Sequence, residues 1–129
     1  MCGIFGIIAK EENQKRKELV SLLEDVSSLS KVRGKDSSGL AYRFESTSKI
    51  DVLKGPVSID ALLKTKEYYA LKALILNEIK AQNNHKIFAA LGHARLVTNG
   101  SQLEDANNQP VVKDGIVGVH NGIIVNEDH

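Results

Sequence analysis

The chain opens on an apolar run, Cys2–Ala9, interrupted only by glycine, and a short continuous run of this kind predicts a buried strand at the very start. Over Gln14–Ser30 the pattern changes. Leu19, Leu22, Leu23, Val26 and Leu29 recur at spacings of three and four among Lys15, Arg16, Lys17, Glu18 and Glu24, which predicts an amphipathic helix. Arg33–Gly39 reads as a polar loop bounded by glycines. Leu40–Glu45 and Ile50–Lys54 read as two strands, joined as a hairpin across 46–49 and closed by Gly55-Pro56. Ser58 is placed to cap a helix with Asp60 in its first turn. Helical material then runs to about Ala81 with a break near Thr65, striped by Leu71, Leu74, Ile75 and Ile79. Ile87–Ala94 predicts another strand, and a polar loop follows through Asn108-Gln109-Pro110. Ile116–Val119 and Ile123–Val125 flank His120-Asn121-Gly122. Strands and helices in this order predict an α+β layered fold rather than strict βαβ alternation.

At 129 residues the chain is one domain long. Seventeen Lys and Arg against sixteen Asp and Glu leave a net charge of +1, which supplies no field to hold nucleic acid or an anionic membrane. Three Phe, three Tyr and no Trp make a base-stacking platform a poor fit. No apolar run approaches a membrane span, and the first run lacks a basic leader, so a cytoplasmic location is expected. His85, His93, His120 and His129 are scattered without a metal-ligand spacing.

The single cysteine stands at position 2, behind a methionine of the kind that is trimmed before a small residue. Once exposed, its α-amine (pKa roughly 7.7–8.0) and its thiol (pKa ~8.5) are matched closely enough to exchange a proton cheaply. Nucleophile and base then belong to one residue. Taken alone, Cys2 reads first as an incidental buried thiol. Arg95, at the end of a strand, carries a planar fork suited to a carboxylate or to an ordinary salt bridge. Asn121-Gly122 reads as a tight turn, or as a carboxamide and a backbone N–H aimed together at an oxyanion. Arg33–Gly39 is either a plain loop or a pocket wall, and its spacing does not fit a phosphate loop.

In order along the chain, Cys2-Gly3-Ile4-Phe5-Gly6, Arg33-Gly34-x-Asp36-Ser37-Ser38-Gly39, Gly92-His93-x-Arg95-x-x-Thr98-x-Gly100, Asn107-x-Gln109-Pro110 and His120-Asn121-Gly122-Ile123-Ile124-x-Asn126 resemble the class II glutamine amidotransferases, which are N-terminal-nucleophile hydrolases. Within that class the likeness leans toward the branch that aminates fructose 6-phosphate, with the amidophosphoribosyltransferases of purine synthesis as the alternative. Asn107-Asn108-Gln109-Pro110 is the stretch that looks more like the latter. The resemblance implies an αββα sandwich of antiparallel sheets. It implies Cys2 as nucleophile, Asn121 and Gly122 as the oxyanion pair, and Arg95 on the α-carboxylate of glutamine. Thr98, Asn99, Gly100 and His120 would line the substrate, while Arg33, Gly34, Asp36 and Ser37 would support the pocket. No metal or organic cofactor is implied. The family continues well past the His-Asn-Gly motif. Residues 1–129 are therefore expected to be a glutaminase domain truncated on its C-terminal side, without its acceptor domain, and to form a homodimer that covers the faces left open. A catalytically silent binding or assembly remnant of the fold is the reading from outside enzymology.

Overall fold

The computed structural model describes residues 2–10, 16–45, 49–81, 87–97 and 100–122. Strands β1 (Gly3–Lys10), β2 (Ser37–Phe44), β3 (Asp51–Gly55) and β4 (Ile87–Arg95) form an antiparallel sheet in the order β1-β4-β2-β3. Gly3 pairs with Ala94 and Ser37 with Arg95, so the start of β1, the start of β2 and the end of β4 meet at one end of the sheet.

Helix α1 (Arg16–Ser30) continues into a short 3₁₀ turn at Lys31–Arg33, and α2 (Ile59–Leu62) and α3 (Lys66–Ala81) follow β3. All three helices contribute to the core on one face of the sheet. Phe5, Leu40, Tyr42, Phe44, Phe88 and Ala90 face Leu19, Leu23, Ile59, Leu62, Tyr68, Leu71, Ile75 and Ile79, all buried. Tyr42, Phe44 and Phe88 stack on one another with ring centroids 5.0 to 6.1 Å apart. Burying each such aromatic contributes on the order of 1.5–3 kcal/mol. Helices α1 and α3 are also joined through Glu24, whose Oε1 accepts from the Tyr68 hydroxyl at 2.9 Å and from Lys72 at 2.6 Å.

The period-2 alternation of β1 sends its even residues to the opposite face, where Ile4 is 47% exposed and Ile8 82%. Ile87 lies across β4 on that face and is also exposed. The sheet is therefore helix-covered on one side, and its other side carries the loop from Gly100 to Pro110 near β2. The observed architecture is α+β with antiparallel sheets, as the pattern predicts.

Several boundaries move for identifiable reasons. The break near Thr65 is real: Thr65 Oγ1 accepts from the Tyr68 N–H at 3.1 Å and opens α3. Ser58 caps α2 as expected, accepting from the Ala61 N–H. Strand β2, in contrast, begins at Ser37 rather than Leu40, because Ser37 and Ser38 are buried and pair with Arg95 and Ala94. A second sheet pairs β5 (Val111–Lys113), a stretch to which the pattern assigns no element, with β6 (Ile116–Gly118), which falls on the apolar run Ile116–Val119. Its turn is Asp114-Gly115, both at positive φ (51° and 77°), the backbone that a two-residue hairpin requires. Strand β6 ends at Gly118 rather than at Val119. The expected start of α1 at Gln14, the 46–48 connection, residues 82–84 and the strand Ile123–Val125 lie outside the described residues.

Candidate active site

The chemistry-bearing residues collect at the sheet end where β1 starts and β4 finishes. The Cys2 backbone N–H donates to Asn121 Oδ1 at 3.0 Å, across 119 positions of sequence. The Cys2 thiol points at the Leu96 carbonyl, 3.6 Å away. Continuing the β1–β4 register by one step places Cys2 opposite Arg95. Asn121 and Gly122 are exposed, and the His120 ring folds over Gly122. Since Asn121 accepts through Oδ1, its Nδ2 remains the donor end of the same carboxamide.

Arg95 is half-buried, and its Nη1 donates to the Asn107 carbonyl at 2.9 Å. Asn107 is itself held by the Ser101 carbonyl and the Glu104 carboxylate through Nδ2, both at 3.1 Å. Gly100 sits beside Asn107 and the guanidinium at a positive φ of 71°. The turn before β2 is tied to the same strand end. Asp36 donates its N–H to the Arg95 carbonyl at 3.0 Å, and its Oδ2 accepts from the Val97 N–H at 2.7 Å. Gly34 runs extended and buried against the main chain of Ala94 and Arg95. Arg33 is exposed and lays only its stem beside Gly3. Ser37 is buried on the Cys2 side of the sheet, its Oγ without a hydrogen-bond partner among the described residues. Thr98 and Asn99 lie outside those residues.

Two residues at this end carry no role in the sequence reading. Gln109 uses both ends of its carboxamide on the main chain of His120, as donor to the carbonyl and as acceptor from the N–H. The only sequence signal for it is membership of the Asn-x-Gln-Pro stretch. His93 lies between Ile4 and Gly39 in register and is 1% exposed. Neither ring nitrogen has a well-formed hydrogen bond among the described residues. Burial therefore holds the His93 pKa below its ordinary 6.5, with Arg95 and His120 adding smaller unfavourable charge and the His120 backbone opposing the shift.

That depression has a measurable sign. The unfolded chain takes up a proton at His93 more readily than the folded one, so stability present above pH 6.5 is lost as the pH falls through and below that value. Thermal melting followed from pH 8 to pH 5 should show a fall on the acid side. His93→Gln, which has nothing to titrate, should flatten the fall. A variant curve parallel to that of the unmodified chain would assign the acid loss elsewhere.

Among the described residues no group of three His, Cys, Asp or Glu stands together as metal ligands would. No helix among them is long and apolar enough to cross a membrane.

The cysteine at the head of an antiparallel sheet, facing Asn121-Gly122 and an arginine at the end of the neighbouring strand, fits the class II glutamine amidotransferases, and sequence comparison supports the same class. Over its full length the chain is 34% identical to glutamine–fructose-6-phosphate aminotransferase of Wigglesworthia glossinidia brevipalpis, across 129 residues. It is 33% identical across 128 residues to the enzyme of that name from Xylella fastidiosa, and 31% identical across 128 residues to that of Buchnera aphidicola. The chain spans only 17 to 18% of the length of these relatives. It thus resembles the glutaminase part of the fructose-6-phosphate branch. No protein-family model matches the chain, and no solved structure does.

Proposed function

We propose that this chain is the glutamine-hydrolysing part of an amidotransferase, with Cys2 as its nucleophile once Met1 is removed. The α-amine takes the thiol proton as sulfur attacks the side-chain carbonyl of glutamine. The oxyanion that forms is held by Asn121 Nδ2 and the Gly122 N–H. The tetrahedral intermediate collapses to a γ-glutamyl thioester, and the departing nitrogen takes the proton back and leaves as ammonia. Water then attacks the thioester with the amine again as base, releasing glutamate and the free thiol. Arg95 binds the α-carboxylate, with Thr98, Asn99, Gly100 and His120 around the substrate. Arg33, Gly34, Asp36 and Ser37 support the wall.

The observation that carries this reading is the hydrogen bond from Cys2 N to Asn121 Oδ1. It joins the residue that would supply nucleophile and base to the one that would supply an oxyanion donor, across 119 positions of sequence. The names of the relatives support fructose 6-phosphate as acceptor, giving glucosamine 6-phosphate in a domain beyond these residues. The open sheet face bearing Ile4, Ile8 and Ile87 supports a homodimer. A cytoplasmic setting suits the unpaired thiol.

The test is intact mass spectrometry before and after exposure to a diazo-ketone analogue of glutamine. Loss of Met1 together with one adduct on Cys2, blocked by excess glutamine, is the expected result. Retained Met1, or an adduct that glutamine does not block, would overturn the reading. Arg95→Ala separates a glutaminase from a hydrolase of some other amide. A charge-assisted contact of roughly 1.5–3 kcal/mol corresponds to a rise in KM for glutamine of about 10- to 150-fold. An unchanged KM would remove the carboxylate role.

A further inference from the structure

We infer that Gln109 is the positioning residue of the oxyanion loop: its carboxamide holds the main chain of His120 and thereby sets Asn121 and Gly122 against Cys2. This rests on the glutaminase reading above and adds to it a residue that touches neither substrate nor nucleophile.

Gln109 Oε1 accepts the His120 N–H at 2.5 Å, and Gln109 Nε2 donates to the His120 carbonyl at 3.2 Å. A side-chain amide that satisfies both polar groups of one residue imitates a strand partner, and it does so where strand pairing has stopped. Strand β6 ends at Gly118, and His120 through Gly122 are exposed outside any described strand. Gln109 thus engages both the N–H and the carbonyl of His120. The next residue is the one whose Oδ1 receives Cys2 N.

A clamp of this kind works only if its own base is fixed, and here it is. The Gln109 carbonyl and Pro110 lie directly on Gly39 in β2. A Cβ at that glycine would come within 2.1 Å of Gln109 O and 2.8 Å of Pro110 Cδ. Pro110 and Asn108 are buried. Asn108 Nδ2 donates to the Gln102 carbonyl at 2.8 Å, and Lys54 Nζ donates to the Asn108 carbonyl at 3.0 Å. The path runs from the rigid sheet through Gly39, Gln109 and His120 to Asn121 and the nucleophile. Oxyanion stabilisation depends on donors that are already in place when charge develops. Displacement by about 1 Å of a group far from the chemistry can cost as much as 10²-fold in rate.

The experiment compares Gln109→Ala and Gln109→Glu with the unmodified sequence in the full chain. It follows glutamine hydrolysis and, in parallel, alkylation of Cys2 by iodoacetamide, a displacement at carbon that passes through no oxyanion. For Gln109→Ala the expected result is a fall in kcat of about 10- to 100-fold, with KM for glutamine and the alkylation rate each within about threefold of the parent. Gln109→Glu retains the acceptor for the His120 N–H but has no N–H for the carbonyl. It should fall between the two, and it decides the matter if the alanine chain does not fold. A kcat within twofold of the parent in either folded variant overturns the inference. So does a loss shared equally by kcat, KM and alkylation, which would mark Gln109 as merely structural. Cys2→Ala keeps the two levels apart: a Cys2→Ala chain that still hydrolyses glutamine sinks the glutaminase reading itself, whatever Gln109 does.

Discussion

A Cys2→Ala chain should release no ammonia from glutamine above background, a loss of roughly 10⁴-fold or more, because thioester formation has no other nucleophile at this sheet end. The described geometry makes the substitution specific. Cys2 lies just before the first paired residue of β1, its thiol directed at the Leu96 carbonyl, so truncation at Cβ disturbs neither the Gly3–Ala94 pairing nor the core behind it. Melting temperature and secondary structure should therefore stay near those of the parent. The more searching variant is Cys2→Ser. It preserves shape and the α-amine, but the hydroxyl is far harder to deprotonate, and the pKa match between nucleophile and base disappears. Quenched-flow mass spectrometry with glutamine should trap a glutamyl adduct on the parent and none on either variant. A Cys2→Ala chain that accumulates such an adduct would move the nucleophile elsewhere and undo the assignment.

Asn121→Ala should lower kcat by about 10²- to 10³-fold, the range expected for loss of one oxyanion donor. Two functions leave together. The Nδ2 donor vanishes from the oxyanion, and the Oδ1 acceptor that fixes Cys2 N at 3.0 Å vanishes with it. Asn121→Asp separates them, since the carboxylate still accepts from the amine but sets a negative charge where negative charge develops. If oxyanion stabilisation dominates, the aspartate chain is at least as slow as the alanine chain. If the role of Asn121 is to orient the amine, aspartate rescues part of the rate. Steady-state ammonia release, with KM for glutamine measured alongside, distinguishes the two, and an unaffected kcat in both variants would remove Asn121 from the mechanism.

How much of this was legible in the sequence depends on the range of the interaction. The core face of α1 announces itself because Leu19, Leu23 and Val26 recur at helical spacing, and all pack in or against the core. Strands β1 and β4 are apolar runs whose pairing the structure then supplies. The start of β2 escaped this reading because Ser37-Ser38-Gly39 is small and polar. What buries it is Arg95 and Ala94 beside it and Gln109-Pro110 above it, none of them local. The β5–β6 hairpin has a local signal, Asp114-Gly115 between Val111-Val112 and Ile116-Val117, but strands of three residues are too short for alternation to register. Periodicity says nothing of the site itself. The ordered set of motifs put residues 2 and 121 in one expected site, while the hydrogen bond between them and the Gln109 contact with His120 came into view only through the fold.

The one-sided layering of the sheet has a consequence for how this domain can change. Its thermodynamic reserve lies under the helices, in the aromatic stack and the Glu24 junction with Tyr68 and Lys72. Its reactive groups hang from the strand ends and the loops on the opposite surface. Substitutions in separate layers with no shared neighbours combine nearly additively. The helical layer can therefore drift, or be redesigned for heat tolerance, while the candidate active-site surface keeps its settings, and loss of the proposed activity without loss of stability becomes the signature of a change on the loop side.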